Sequence, residues 1–177
     1  MHEDKVARRL AERRVGVSAL LSHGFYVYFW FYLSWQHLKE ETGREYYPLY
    51  HALGMLVPGL NLYIAYVHLK AIRELLVTSG VETSLSPVRG VIIMGALMVA
   101  EIQALFGVGP ISLGKALLID LLGIAVVAYI MMWGQSALNH YWVHKYGNGL
   151  VEEVPIARGE ALIVLIGLMW WALYLFR

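Results

Sequence analysis

The sequence predicts an all-α protein, a bundle of helices that lies within a membrane. Hydrophobic residues make up 59% of the 177 positions, compared with about 45–50% in soluble domains. Charged residues make up 15%, compared with about 25% in soluble domains, which is too few to cover the surface of a soluble protein. The apolar residues also occur in long blocks, and such blocks indicate lipid as the solvent.

Five apolar segments predict five transmembrane helices, with four as the alternative if the last segment lies on the membrane surface. The predicted spans cover about residues 15–35, 49–69, 91–108, 117–138 and 161–176. The first span contains Gly24–Trp35, in which eight of twelve residues are aromatic. At a rise of 1.5 Å per residue this span crosses the hydrocarbon core, which is about 30 Å thick.

The later spans carry polar or helix-breaking residues inside apolar sequence. Pro58-Gly59 stands in the middle of the second span, so a kink or a break is expected there. Asn61 follows and is expected to bond the carbonyls that such a break frees. Glu101 lies in the third span, and Asp120 lies near the start of the fourth, which is expected to continue as a helix to Tyr146.

Residues 1–14, MHEDKVARRLAERR, precede the membrane domain of residues 15–177. They predict either a short interfacial helix on anionic lipid or a solvated arm that only sets orientation. With five spans, ten of the 14 Lys and Arg residues fall on one side of the membrane and four on the other. The positive-inside rule then places the N-terminus in the cytoplasm.

Several stretches resemble a family of small bacterial membrane domains of unknown function. The matching residues are Gly24–Tyr32 and Leu38–Glu41, the proline-interrupted stretch Leu56–Leu75, and Ser136–Trp142, which resembles the closing Leu-Asn element of the family. This resemblance implies a multi-pass protein of the bacterial cytoplasmic membrane. It implies no particular activity.

Two pairs of polar residues are the first candidates for a site, because ionisable residues inside a membrane are costly and tend to be functional. His23 and Asn61 are expected at similar depth, where they form either a polar contact between helices or a ligand contact. Glu101 and Asp120 are expected about 10 Å and 5 Å below the outer boundary. If their faces match, they form a proton relay or cation site. Otherwise Glu101 is protonated or paired and Asp120 caps a helix.

The aromatic residues of the first span define a second candidate. Five of them follow helical spacing and are expected to form one face, used for packing or for a cation–π or hydrophobic ligand. They are Phe25, Tyr28, Phe29, Tyr32 and Trp35. His140 and His144 share a helix face and are weak metal candidates without a third ligand. A haem or pigment lacks a facing histidine pair, because His51 and His68 stand at opposite ends of the second span.

The sequence excludes several classes of function. It has no cysteine, which removes disulfides and thiolate chemistry, and it has no concentrated basic face of the kind that binds nucleic acid. It carries no phosphate-binding loop, catalytic triad or dinucleotide motif, so neither an enzyme nor a bound cofactor is expected.

Three functions therefore stay open. The first is a non-enzymatic accessory or scaffold subunit, or a homo-oligomer, that contacts lipid and protein partners through helix packing. The second is a small transporter or ion- or proton-conducting module that uses Glu101 and Asp120. The third is a lipid-, haem- or pigment-binding protein.

Overall fold

The computed structural model describes the backbone of residues 6–106 and 113–176, with the side chains of 8–99, 114–173 and 176. Within those residues the chain forms seven helices and one pair of strands, so the predicted all-α helical bundle is confirmed. The elements in chain order are β1 (Val6–Arg9), α1 (Glu12–Leu21), α2 (Tyr26–Thr42), α3 (Pro48–Gly54), α4 (Leu60–Thr78), α5 (Pro87–Phe106), α6 (Leu113–Tyr146), β2 (Val151–Glu153) and α7 (Arg158–Leu175).

The segment predicted as one helix over residues 15–35 is broken, and that prediction is wrong. Helix α1 ends at Leu21, and His23 and Gly24 adopt φ angles of 52° and 83°. This left-handed conformation stops the helical hydrogen-bond ladder and suits glycine, which has no Cβ to clash. Helix α2 begins at Tyr26 after the turn.

Helices α1 and α2 form a hairpin, so the start of α1 and the end of α2 lie at the same end of the bundle. Along α1, Leu10 bonds Asn139, Gly16 lies against Met132, and Gly24 at the turn lies near Ile124. Helix α1 therefore runs antiparallel to α6. Along α2, Trp30 bonds Gln135 and Glu41 bonds Tyr141, so α2 runs parallel to α6.

The second predicted span, residues 49–69, is also a hairpin. The break predicted at Pro58-Gly59 is present between α3 and α4, but it reverses the chain within what was predicted as a single span. The His51 ring lies 4.3 Å from the ring of Trp35. Farther along, Leu69 contacts Gly134. Helix α3 therefore runs antiparallel to α2 beside it, and α4 runs back in the same direction as α2.

Helices α5, α6 and α7 pass beyond the tips of both hairpins. Helix α5 descends beside α4, with Gly90 near Leu69 and Gly95 near Leu62, and continues to Phe106. Helix α7 crosses the turn of the first hairpin at Gly167 and continues to Leu175. We call the end of the bundle that holds the termini of both hairpins the open end.

One helix in the described part of the chain is long and apolar enough to cross a membrane. It is Gly114–Tyr146 in α6, whose most apolar window has a mean hydropathy of 2.2 and is only 28% buried inside the protein. Pro87–Val99 in α5 is a shorter apolar helix. The continuation of the fourth predicted span to Tyr146 is confirmed.

Residues 6–9 form a strand, so the interfacial helix, one of the two alternatives expected for residues 1–14, is wrong for this stretch. Strand β1 pairs in parallel with β2, with Val6 opposite Val151 and Ala7 opposite Glu152. A short polar segment cannot sustain a helix alone, and its backbone groups bond instead to residues far along the chain. This strand pair sits on the open end of α6.

Candidate functional site

A pocket of about 330 Å³ lies at the tips of the two hairpins, between them and helices α5 and α6. It brings together three polar residues that sequence reasoning had placed in two separate pairs: His23, Asn61 and Asp120. The remaining lining is mainly apolar and comprises Gly24, Phe25, Val27, Tyr28, Leu62, Met94, Leu97, Met98, Gly123, Ile124 and Val127.

His23 stands in the strained turn of the first hairpin. Its ring packs edge-on against Trp171 of α7, with the two ring centres 4.5 Å apart, and it also lies near Phe25 and Trp170. The imidazole therefore connects the pocket with the aromatic residues of α7.

Asn61 stabilises the turn of the second hairpin. Its Oδ1 accepts hydrogen bonds from the backbone N–H groups of Gly59 at 3.1 Å and Leu62 at 2.8 Å. It thus bonds backbone N–H groups at the break, whereas bonds to freed carbonyls were expected. His23 and Asn61 line the same pocket, and a direct contact between them stays a prediction.

Asp120 is half-buried on the α6 side of the pocket. Glu101 belongs to α5, but its side chain lies outside the described residues, so the predicted meeting of Glu101 and Asp120 also stays a prediction. In the structure Asp120 lines the pocket together with His23 and Asn61, which the two hairpin turns bring there.

The predicted aromatic face is divided between different environments. Trp35 is fully buried, Phe25, Tyr28 and Phe29 are half-buried, and Tyr32 is exposed. The largest aromatic residues on the buried face of α2 are Tyr26, Trp30, Phe31 and Trp35. Trp35 also contacts both His51 and His68, with ring centres 4.3 and 4.7 Å away, because the second hairpin brings together histidines expected at opposite ends of one helix.

The weak metal candidates His140 and His144 are exposed on α6. Among the described side chains, no group of three or more histidine, aspartate or glutamate residues is arranged to hold a metal ion. The structure therefore adds no third ligand to this pair.

A buried polar network at the open end is the main feature that sequence reasoning missed. The Oδ1 of Asn139 accepts from the Leu10 backbone at 3.2 Å and from Gln135 at 2.9 Å. Its Nδ2 donates to the Leu10 carbonyl at 2.7 Å and to Glu12 at 2.9 Å. Gln135 in turn accepts from the Trp30 indole at 2.9 Å. The i, i+4 spacing of Gln135 and Asn139 was the available signal.

Two further polar clusters fix the open end. Arg14 forms an ion pair with the buried Glu160 at the start of α7, and Tyr26 also donates to Glu160, at 3.1 Å. Glu41 at the end of α2 accepts from Lys145, Tyr141 and Tyr146 of α6. Partial burial raises the pKa of Glu41, but these donors outweigh it and hold the pKa below the ordinary value.

No protein-family model, curated protein or solved structure matches this chain. The family resemblance therefore stays a prediction, and the function must be argued from the fold and the pocket.

Proposed function

We propose that this chain is a non-enzymatic integral membrane protein that works as an accessory or scaffold subunit through its helix surfaces. In this arrangement α5, α6 and α7 cross the bilayer, while the two hairpins enter and leave on one side. The observation that supports it best is the long apolar surface of α6, which the protein itself leaves mostly uncovered. Lipid is the environment in which such a surface is stable.

Distances along α6 support this arrangement. The turn of the first hairpin lies beside Ile124, which is about 15 Å from Gly114 at 1.5 Å per residue. In the opposite direction, toward the open end, Gln135 lies about 16 Å from Ile124. A hydrocarbon core of about 30 Å therefore fits between Gly114 and Gln135. The hairpin tips then lie near its middle, and the polar network of Asn139 lies at its boundary.

The distribution of basic residues also supports it. The chain has 14 Lys and Arg residues, and all except Lys115 and Arg177 belong to sequence segments that this topology assigns to the open end. Five crossing helices would divide the same residues ten to four. Because positive residues concentrate on the cytoplasmic side, the open end is cytoplasmic. A bacterial cytoplasmic membrane is the location that the family resemblance implies.

The three crossing helices expose apolar side chains along their length. Helices α5 and α7 contain 20 and 18 residues, or about 30 and 27 Å. The exposed apolar residues are Val88, Ile92, Ile93 and Val99 on α5, Leu118, Leu121, Leu122 and Tyr129 on α6, and Leu162, Leu165, Ile166, Leu168, Met169, Trp170 and Leu173 on α7.

Cysteine labelling in intact cells tests the topology, because the chain has no native cysteine. Single variants Glu45→Cys, Asn148→Cys and Phe176→Cys place a thiol at exposed positions. With three crossing helices, an impermeant maleimide labels only Phe176→Cys in intact cells, and it labels the other two after lysis. Labelling of Glu45→Cys from outside would support five spans instead. Extraction of the protein by alkaline carbonate would refute membrane integration.

The accessory role is tested by native mass spectrometry in mild detergent. The expected result is a defined homo-oligomer or a complex of fixed stoichiometry with another membrane protein. A monomer that is fully stable and carries no partner after gentle extraction would refute this role and leave the topology intact.

The tip pocket supports one second candidate, an ion- or proton-conducting module. Interrupted helices with polar residues near the middle of the membrane are typical of transporter sites, and His23 and Asn61, at the two hairpin turns, line one pocket with Asp120 of α6. Proton and cation flux into proteoliposomes should fall in Asp120→Asn and in Glu101→Gln, but not in the control Glu82→Gln, whose carboxylate is exposed. Equal flux in all variants and in empty vesicles would refute it.

A further inference from the structure

We infer that the protein is a wedge that curves the lipid bilayer and makes it convex on the side of the open end. The inference rests on the proposed topology and goes beyond it, because it assigns a mechanical effect to the two hairpins. The ligand is the lipid bilayer itself.

The two halves of the bundle differ in cross-section. Between the open end and the hairpin tips, the described chain contains parts of all seven helices, whereas only α5, α6 and α7 continue past the tips. A helix is about 10 Å wide, so each one occupies about 80 Å² of a leaflet. The four hairpin helices therefore add about 300 Å² to one leaflet alone, although α3, with seven residues, reaches only part of the depth.

The second hairpin ends in an apolar tip that faces outward. Leu53, Leu56, Val57 and Leu60 around its turn are each at least 43% exposed. The backbone of the turn is bonded internally, with the Val57 N–H donating to the Gly54 carbonyl and the Gly59 N–H donating to Asn61. These bonds lower the cost of bringing the turn toward hydrocarbon, where each backbone polar group without a partner costs several kcal/mol, and the exposed apolar side chains favour contact with acyl chains.

The first hairpin is fixed to the crossing helices and holds the wedge together. At Gly167 of α7, an added Cβ would lie 2.1 Å from the backbone of Ser22, so the hairpin tip and α7 are in close backbone contact. Near the open end, Trp30 bonds Gln135, which ties the returning helix α2 to α6. A wedge must resist lateral compression by lipid, and these contacts prevent the hairpin from straightening or folding outward.

Charge places the broad half on one surface. Arg8, Arg14 and Arg44 of the open end form ion pairs with Glu40, Glu160 and Glu74, whereas Lys39, Arg73 and Arg89 are exposed there. Exposed cations next to the hairpins attract anionic headgroups. In the cell the positive-inside rule gives every copy the same orientation, so all copies expand the same leaflet and their effects on curvature add.

The test uses the full chain, reconstituted at increasing protein-to-lipid ratio into 100 nm vesicles that contain one-fifth anionic lipid, with radii measured by cryo-electron microscopy. The expected result is that the mean vesicle radius falls progressively, by at least a factor of two at the highest protein-to-lipid ratio, or that the vesicles become tubules. The double variant Leu56→Lys, Val57→Lys raises the second hairpin toward the headgroups and should bend lipid less. The control Val77→Lys changes an equally exposed apolar residue at the open end of α4 and should bend lipid like the parent chain.

The outcomes separate this inference from the proposed function. If the protein resists carbonate and has three crossing helices but leaves the vesicle radius unchanged, the wedge is overturned and the proposed function is not. Protein that is extracted by carbonate overturns the proposed function as well. A nitroxide on Leu56→Cys reports the depth of the tip directly without vesicle bending. A position near the middle of the bilayer supports the wedge, and a position among the headgroups overturns it.

Discussion

Asn139 gives the sharpest test of how the first hairpin is held at the open end. It is buried, and its side chain makes four hydrogen bonds, two of them to the backbone of Leu10. In Asn139→Ala, the N–H and carbonyl of Leu10 and the amide of Gln135 lose this partner. Leu10 is itself only 1% exposed, so water cannot readily replace the lost bonds.

The expected loss follows from the cost of buried polar groups without partners. Each such group costs about 1–3 kcal/mol, and Glu12 is half-buried and can return to solvent. We expect Asn139→Ala to lower the free energy of unfolding by about 3–5 kcal/mol. This is a large fraction of the roughly 5–15 kcal/mol that stabilises a typical domain.

Tryptophan fluorescence during unfolding in mixed detergent micelles measures this loss, because Trp30 and Trp142 are buried near the network. The control Asn148→Ala removes an exposed loop amide and should change the free energy of unfolding by less than about 0.5 kcal/mol. If Asn139→Ala costs less than about 1 kcal/mol, the network does not hold the hairpin and the reasoning is wrong.

Three further outcomes follow from the described contacts. Gly167→Val should detach α7, because the new side chain meets the backbone of Ser22. Protease should then cleave the chain before α7. In the control Gly149→Val the new side chain has open space, so α7 should stay protected. The His37 pKa is lowered to about 4, by burial and then by the charge of Arg8. As pH falls below about 6.5, the unfolded chain binds a proton before the folded protein does. The free energy of unfolding should therefore drop by up to about 3 kcal/mol between about pH 6.5 and pH 4, and the melting temperature of His37→Gln should depend less on pH. The pKa of Glu41 is also lowered, so Glu41 stops contributing to stability as the pH falls through its pKa in the folded protein. Glu41→Gln should therefore lower the free energy of unfolding at pH 7 and change it little at pH 3. An equal loss at both pH values would contradict this.

The helical class could be predicted from composition, but the hairpins could not. A run of apolar residues about 21 long has the length of a transmembrane helix whether or not it turns. The informative residues were Ser22, His23 and Gly24, because glycine and histidine can adopt the left-handed conformation that a turn requires. In Pro58-Gly59 the same kind of signal located the break, but local sequence does not specify how far the chain turns.

The tip pocket was predicted only in part for the same reason. His23, Asn61 and Asp120 were each recognised as polar residues within apolar sequence, but their common depth depends on both hairpins ending near Ile124 of α6. The Asn139 network was missed because its main partner is the backbone of Leu10, 129 residues away. A single sequence carries no signal for such a pairing between a side chain and a distant main chain.

The strand pair at the open end has a consequence for the order of events on the ribosome. Strand β1 bonds to β2, and Arg14 bonds Glu160, 146 residues farther along the chain, so these partners are synthesised long after the first hairpin. At an elongation rate of about 5–20 residues per second, the hairpin stays without them for roughly 7–30 s. During that interval Arg14 and Tyr26 lack Glu160, although Trp35 can already pack against His51 and His68, so the first hairpin is fixed to α7 only after α7 has been made.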